Sequence, residues 1–416
     1  MSLSDPQSTP QGPASWREVM QDVPALPVIL IAVAAHMMLF GMLTPVMASY
    51  AQGFGVSDWQ IGLMITLFAV GRLGADIPAG HVAQRFGLFG LLWVGPLLCG
   101  LGSVMGALAS DYTMVLVGRT IQGIGSGLFM TAATIFCAQQ SDRRSRGKVM
   151  SVFQGAILVG ATFGPSVGGV AAGMFGQAGP FWVATGVGVV TTIVVLVRFP
   201  AAQMAKAHAR RAMAAADAGH HSVWRLLLIL PFACVMLVNF GVFLTRTAGQ
   251  WQMIPLMVVE RFAFSPEQIG FALTLSAFAT LLILPVTAWL VDRVARPRLI
   301  FMSLLGVTAS LVVIVLAPQP WLFYAAMLGM GVATGISGPA VAAYAVDVVP
   351  ESQQAPAMGI MRFAGDLGYL VGPVTLGFLV QQYALGYTGG IALNAALLGV
   401  CALFFIALSR QRRPLS

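Results

Sequence analysis

The sequence has 416 residues, of which 58% are hydrophobic and only 9% are charged, and its mean hydropathy is +0.85. Soluble domains carry about 25% charged residues, so this composition excludes a water-soluble globular protein and predicts a polytopic membrane protein. The formal net charge of +8 does not indicate nucleic-acid binding, because the basic residues are dispersed over predicted loops.

Twelve apolar stretches are each long enough to cross a bilayer as a helix, which needs about 20 residues. They run over 25–50, 59–83, 88–109, 113–139, 149–174, 180–198, 226–258, 269–290, 299–317, 321–348, 357–380 and 390–408. The predicted fold is therefore all-α, with 12 transmembrane helices. We expect a polar tail over 1–24 without a cleavable signal, helical bundles over 25–198 and 226–408, a linker over 199–225 and a tail over 409–416.

The distribution of basic residues predicts the orientation of these spans. Most of the 22 Lys and Arg residues fall in loops on one side, and only Arg261 falls on the other. Loops rich in Lys and Arg stay in the cytoplasm. Both termini are therefore expected to be cytoplasmic.

A glycine-rich stretch in the fifth span recurs in the eleventh. Gly160, Gly164, Pro165 and Gly169 reappear as Gly368, Gly372, Pro373 and Gly377, at an offset of half the 416-residue length. The same offset relates Ser57, Gln60, Ile61 and Gly62 to Ser265, Gln268, Ile269 and Gly270, and Gly123 and Gly127 to Gly331 and Gly335. One shared offset predicts two homologous six-helix bundles. Gly160, Gly164 and Gly168 are spaced so that a neighbouring helix can approach closely.

Three motifs resemble those of the major facilitator superfamily, in particular its drug:proton antiporter branch. In the loop after the second span, Gly80, Arg85 and Gly87 match the family pattern, but Gln84 stands where the family has an acid. The corresponding loop of the second bundle keeps Asp292 and Arg293. The other two motifs are RTIQGIGSG, which begins at Arg119 in the fourth span, and GATFGPSVGG in the fifth span.

The resemblance implies a secondary transporter that works by alternating access, with proton-coupled efflux of small organic compounds or drugs. It further implies a monomer in a bacterial inner membrane, whose partners are a small-molecule substrate, protons and the lipid bilayer. Two alternatives stay open at this point: a proton-coupled or facilitated importer of a sugar or organic acid, and a lipid-translocating or scaffolding membrane protein.

Ionisable residues inside spans are costly and often functional. Arg72 and Asp76 stand four residues apart on the second span, as Arg362 and Asp366 do on the eleventh, so each pair shares a helix face. The resemblance places these two helices side by side. The pairs are then either a charge latch that breaks and couples to protons as the bundles move, or static pairs that make buried charges tolerable.

Two further residues are candidates for proton coupling. Arg119 has no acid within one turn, and the resemblance implies that it faces the central cavity and assists proton transfer. His36 in the first span is either a proton carrier or a buried, hydrogen-bonded histidine.

The resemblance implies a cavity walled by the first, fourth, seventh and tenth helices. The candidate lining residues are Gln122, Phe129, Asn239, Phe243, Arg246, Gln250 and Tyr344, with Met38 and Trp251 as further apolar positions. This mixture of polar and aromatic side chains suits an amphipathic or aromatic ligand.

Nothing in the sequence is typical of an enzyme. It has no glycine-rich phosphate loop with Lys and Ser or Thr, and we expect no cofactor. The four cysteines, Cys99, Cys137, Cys234 and Cys401, lie in separate spans and are expected to be buried thiols. His208, His220 and His221 in the linker are interpreted as solvated residues and not as a metal site.

Overall fold

The computed structural model describes residues 23–140, 146–199, 226, 228–350 and 353–410, apart from the side chains of 77, 79–81, 83–86, 139, 140, 146, 147, 355, 356, 409 and 410. In this part of the chain every long regular element is a helix. The predicted all-α membrane fold is therefore confirmed. Most of the tail 1–24, most of the linker 199–225 and most of the tail 409–416 lie outside the described residues.

Thirteen α-helices and one π-helix make up the described chain, in the following order. They are α1 (Leu26–Met42), α2 (Met47–Gln52), α3 (Asp58–Ala107), α4 (Tyr112–Gln140), α5 (Arg146–Phe175), α6 (Gly179–Arg198), α7 (Leu230–Leu244), the π-helix (Thr245–Met253), α8 (Ile254–Phe262), α9 (Pro266–Arg293), α10 (Arg296–Leu316), α11 (Pro320–Asp347), α12 (Gln354–Gln382) and α13 (Gly386–Arg410).

These helices supply the expected spans. Ten stretches of helix within the described residues are long and apolar enough to cross a membrane, and α1 is a shorter apolar helix. The part of α3 that precedes Gly87 supplies the twelfth crossing. With 50 residues, α3 would be about 75 Å long at 1.5 Å per residue, which is far more than one crossing requires.

Gly87 is where α3 turns back. Its backbone has φ 77° and ψ 156°, a conformation that residues with a Cβ rarely adopt. The glycine of the predicted loop motif therefore joins the second and third spans in a tight connection. The side chain of Arg85 and the surroundings of Gly80 lie outside the described part of the structure.

The structure corrects the predicted bounds of two spans. The first span, predicted as 25–50, ends at Met42, and a turn that contains Pro45 separates it from α2. Proline has no N–H for helix bonding, which accounts for the break. The seventh span, predicted as 226–258, begins at Leu230 and continues through the π-helix to Phe262. Apolar periodicity gives no signal for a change from α to π hydrogen bonding.

The glycines of α5 pack this helix directly on the backbone of α1. A Cβ added at Gly164 would lie 2.8 Å from the Cα of Gly41, and one added at Gly160 or Gly168 would overlap a backbone carbonyl oxygen of α1. Gly368 in α12 meets the carbonyl of Phe240 in α7 in the same way. The small residues thus let pairs of helices approach at the distance of their backbones.

The two largest interfaces between the first six spans and the last six are those of α3 with α12 and of α5 with α9. A Cβ added at Gly62 would lie 2.5 Å from the carbonyl oxygen of Pro373, and one added at Gly270 would overlap the carbonyl oxygen of Pro165. By the repeat, Gly270 is the equivalent of Gly62, and Pro165 is the equivalent of Pro373. The two interfaces are therefore related by the same offset as the sequence.

Hydrogen bonds also cross between the two groups of spans. Thr66 donates to the carbonyl oxygen of Leu370 at 2.7 Å, and the hydroxyls of Ser166 and Thr274 are 2.8 Å apart. We call the membrane side at which α1 begins the terminal side, and the opposite side the distal side. The bonds of Thr66 and Ser166, and the bond that Tyr387 donates to Asp58 at 3.1 Å, lie in the distal halves of the helices. The distal side is therefore closed by contacts between the two groups.

Replacing Gly164 with Leu should destabilise the folded protein by about 1–3 kcal/mol, the usual cost of overpacking, because the new side chain would collide with Gly41. Gly186→Leu is the matched control, since a Cβ at Gly186 meets nothing within 4 Å. The measurement is the thermal unfolding midpoint of each purified variant in detergent. Equal midpoints for the two variants would contradict close packing at Gly164.

Candidate functional site

Two pairs of opposite charges face the region between the two groups of spans. The Nε of Arg72 lies 3.8 Å from Oδ2 of Asp76 on α3, and the Nε of Arg362 lies 4.0 Å from Oδ2 of Asp366 on α12. The side chains of Asp76 and Asp366 are 19% and 23% exposed, whereas Arg362 is 57% exposed. Both acids are thus shielded but reachable.

The two pairs also interact with other helices. Asp76 accepts a hydrogen bond from Thr131 of α4 at 2.7 Å. Asp366 interacts electrostatically with Arg72 and Asp76 of α3 as well as with its own neighbour Arg362. The predicted charged residues of α3 and α12 therefore form one electrostatic group across the α3–α12 interface.

Arg119 is buried on α4, with neutral partners. Its Nε donates to the carbonyl oxygen of Met64 at 3.1 Å and its Nη1 donates to Oε1 of Gln122 at 2.7 Å. The guanidinium also lies 4.6 Å from the ring centroid of Phe68, and its Nη2 is buried without a hydrogen-bond partner among the described residues. Gln122 in turn donates to Ser103 at 2.7 Å, which fixes the orientation of its amide.

Four aromatic rings meet between the two groups of spans. Phe40 of α1 lies with its centroid 4.9 Å from that of Phe68 on α3, 5.4 Å from that of Trp251 and 6.4 Å from that of Tyr369 on α12. Trp251 and Tyr369 are 5.7 Å apart in an edge-to-face arrangement. These separations are those of favourable aromatic pairs. We call these four residues the aromatic cluster.

A second arginine lies against this cluster. The guanidinium of Arg246, in the π-helix, is 5.3 Å from the ring centroid of Trp251, within cation–π range. The hydroxyl of Tyr369 is buried without a hydrogen-bond partner in the described structure, and it interacts electrostatically with both Arg119 and Arg246. One arginine from each group of spans thus lies beside the aromatic cluster.

His36 is buried between α1 and α4. Its Nε2 shares a hydrogen bond of 2.9 Å with the hydroxyl of Ser126, and its ring lies 4.8 Å from that of Phe129. Phe129 has no exposed surface, so it packs in the core and does not line open space. The described contacts of His36 are those of the buried, hydrogen-bonded alternative.

The other predicted lining residues are placed in different surroundings. Asn239 donates to the carbonyl oxygen of Met361 at 2.6 Å, and Phe243 lies beside Gly365, so both contact α12. Gln250 donates to Ser276 of α9 at 3.3 Å. Tyr344 lies near the terminal end of α11, edge-on to Phe405 at 5.9 Å. The structure therefore does not bring Tyr344 together with the aromatic cluster.

The residues of the second predicted loop motif, Asp292 and Arg293, end α9, just before the short connection to α10. Arg293 stacks over Trp289 with its guanidinium 4.4 Å from the ring centroid. Arg296, three residues later, forms an ion pair with Asp347 and donates to the carbonyl oxygen of Ala343 at 3.2 Å. The contacts of Arg296 attach the start of α10 to the end of α11.

No group of three or more His, Cys, Asp or Glu side chains that could hold a metal ion occurs in the described part of the chain. Cys99, Cys137 and Cys234 are buried and Cys401 is partly buried. His208, His220 and His221 lie outside the described residues.

A family model described as the Major Facilitator Superfamily matches residues 29–251 and again residues 235–416. This chain belongs to the Major Facilitator Superfamily. An uncharacterized MFS-type transporter of Methanocaldococcus jannaschii is 24% identical over 357 residues, which cover 85% of this chain and 90% of that protein. The quinolone resistance protein NorA of Staphylococcus aureus is 22% identical over 346 residues, with 82% and 86% covered.

The crystal structure of a bacterial homologue of the human lysosomal transporter Spinster, in an inward-facing and occupied conformation, has a TM-score of 0.72 to this chain. Its sequence identity is 15%, and the match covers 96% of this chain and 98% of that one, so it shows the shared fold. The protein is thus an integral membrane transporter of small molecules and not an enzyme.

Sequence reasoning placed Trp251 in the cavity but did not select Phe40, Phe68 or Tyr369. Tyr369 had a signal, since it is the aromatic residue within the glycine repeat of α12. Phe40 and Phe68 had no such signal. This sequence has 25 Phe residues, and a Phe in an apolar span either packs against another helix or contacts lipid, so the sequence does not single out these two.

Arg119→Met should lower transport at least 100-fold but leave the thermal unfolding midpoint unchanged or higher. Burying an ion costs several kcal/mol, and the neutral partners of Arg119 only partly offset this cost. Transport is measured in proteoliposomes and stability in detergent, on the same preparation. A midpoint as low as that of Gly164→Leu would instead show that Arg119 holds the fold together.

Proposed function

We propose that this transporter exports small organic compounds from the cytoplasm in exchange for protons. The relationship to NorA, named for quinolone resistance, supports export of drug-like compounds. The observation that carries the proposal is the pair of half-buried carboxylates, Asp76 and Asp366, each held near an arginine where the two groups of spans meet. We further propose that the protein is a monomer in a bacterial inner membrane with both termini in the cytoplasm.

In this orientation the terminal side faces the cytoplasm, and the structure is closed on the opposite side of the membrane. Closure of the distal side by Gly62 against Pro373 and by Gly270 against Pro165 supports this assignment. Residues 25–198 and 226–408 move as two bundles about the central site, with 199–225 as their linker. Export requires the distal contacts to separate while the terminal ends come together.

The charge pairs couple this motion to protons. A carboxylate beside an arginine favours its ionised form, whereas burial favours the protonated form. Closing the terminal side would bury Asp76 and Asp366 more deeply and rearrange the arginines beside them. Each conformation would then hold the carboxyl protons with a different affinity, which is what coupling to a proton gradient requires.

Asp76→Asn and Asp366→Asn should each bind substrate and exchange it across the membrane, but at least one should lose uphill transport driven by a pH gradient. Asparagine keeps the shape of aspartate and cannot take up the coupling proton. Uphill transport and exchange are measured in the same proteoliposomes, with Asp111→Asn, in an exposed distal loop, as the control. If both variants transport uphill normally, the pairs are structural and coupling lies at Arg119 or His36.

The double variant Ser166→Cys and Thr274→Cys should form a disulfide on oxidation, because the two native hydroxyls are 2.8 Å apart. The bond would lock the distal side closed, so transport should stop on oxidation and return with a reducing agent. Each single variant is the control and should transport under both conditions. Unchanged transport in the fully crosslinked protein would show that the α5–α9 interface does not open during the cycle.

A further inference from the structure

Four arginines lie in the described spans away from the helix ends, namely Arg72, Arg119, Arg246 and Arg362, and they fall into two classes. Arg72 and Arg362 each have an aspartate at ion-pair distance on the same helix. Arg119 and Arg246 have no acid at that distance among the described residues; their recorded contacts are with neutral oxygens and aromatic rings. The middle of the transporter therefore carries two positive charges that the described protein does not balance.

Two groups in this region that can donate hydrogen bonds are left without partners. Nη2 of Arg119 and the hydroxyl of Tyr369 are buried and unpartnered in the described structure, and buried polar groups ordinarily have partners. Arg119 is 2% exposed and Tyr369 is 9% exposed, so ordinary solvent does not satisfy them. A group that supplies acceptor oxygens and negative charge would satisfy both atoms.

The surfaces next to these donors are aromatic. Arg119 covers the ring of Phe68 at 4.6 Å and Arg246 covers the ring of Trp251 at 5.3 Å, and Phe40 contacts both rings. Aromatic faces and edges suit a flat apolar body. A ligand that fits this region therefore combines an anionic head with an aromatic part.

We propose that the substrates of this transporter are aromatic carboxylates or similar aromatic organic anions, whose anionic group lies between Arg119 and Arg246 against the aromatic cluster. This inference rests on the transport function proposed above and specifies its substrate class. Cations are disfavoured, because they would meet two unbalanced guanidinium groups in a medium of low dielectric.

The location of the two arginines gives the bound anion a second effect. Arg119 belongs to the first six spans and Arg246 to the last six, and both interact electrostatically with Tyr369. An anion between the two arginines would attract both of them. Binding of the correct substrate would thus favour the approach of the bundles, which alternating access requires before the distal side can open.

The test uses the purified full-length protein in lipid nanodiscs and three probes of the same size: 2-naphthoate, 2-naphthylmethanol and 2-naphthylmethylammonium. Isothermal titration calorimetry should show that naphthoate binds at least tenfold more tightly than the alcohol, and that the ammonium compound binds most weakly. Equal affinities, tighter binding of the ammonium compound or no measurable binding of naphthoate would overturn the proposal.

Variants at Arg246 locate the binding. Arg246→Gln should weaken naphthoate binding at least tenfold and leave the affinity for the alcohol unchanged, whereas Arg246→Lys should keep most of the preference for the anion. Arg261→Gln is the matched control, because Arg261 is exposed at the distal end of α8, where it donates to the Val315 carbonyl and lies 5.5 Å from the ring centroid of Phe262. Loss of the preference in Arg261→Gln, or its full retention in Arg246→Gln, would overturn the assignment to this site.

Proteoliposome transport separates this inference from the proposed export function. Tight, Arg246-dependent binding of naphthoate without transport driven by a pH gradient would contradict proton-coupled export and leave the anion site standing. Uphill transport of a neutral or cationic compound by a protein that does not prefer naphthoate would support export and overturn the anion site.

Discussion

Contact between helix backbones at glycine is the constraint on which this transporter depends. Lipid tails are as apolar as the side chains of the helices, so burying apolar surface gives little drive for helices to associate, and close van der Waals packing must supply it. Gly164 brings α5 onto α1 within a bundle, while Gly62 and Gly270 bring the bundles together on the distal side. Since a single Cβ at these positions would collide with backbone, the contacts are either fully made or absent. Interfaces of this kind suit a molecule that alternates between two closed arrangements.

Charge sets the second constraint, because the membrane interior penalises any ion that has no partner. The protein stabilises its buried ions in two different ways. Asp76 and Asp366 lie close to arginines and remain partly exposed, so their charges are tolerated and can still change. Arg119 is held by a carbonyl, an amide and a ring, which orient the cation without neutralising it. The first arrangement suits proton exchange and the second suits recognition of a negative group.

Much of the fold could be predicted from the sequence, because a bilayer imposes the length and composition of every span. The offset of half the chain also predicted the relation between residues such as Gly62 and Gly270, whose contacts proved to be equivalent. The break after Met42 and the π-helix at Thr245–Met253 could not be predicted, since both change hydrogen bonding without changing the apolar pattern. In the site, charged residues were detectable because they are rare in spans, whereas Phe40 and Phe68 became visible only once the helices were placed.

The two interfaces between the bundles match in backbone geometry but not in chemistry. Arg72 and Asp76 on α3 correspond by the repeat to Thr280 and Leu284 on α9, and Arg362 and Asp366 on α12 correspond to Gln154 and Leu158 on α5. The α3–α12 interface therefore carries two Arg–Asp pairs at positions that are uncharged in the α5–α9 interface, whose Glu267 lies instead at the distal end, against Gly173. Under the proposed proton coupling, protonation of Asp76 or Asp366 would change the charge of the α3–α12 edge and leave the equivalent positions of the α5–α9 edge unchanged. Separation of the two bundles on the terminal side would then begin along α3 and α12.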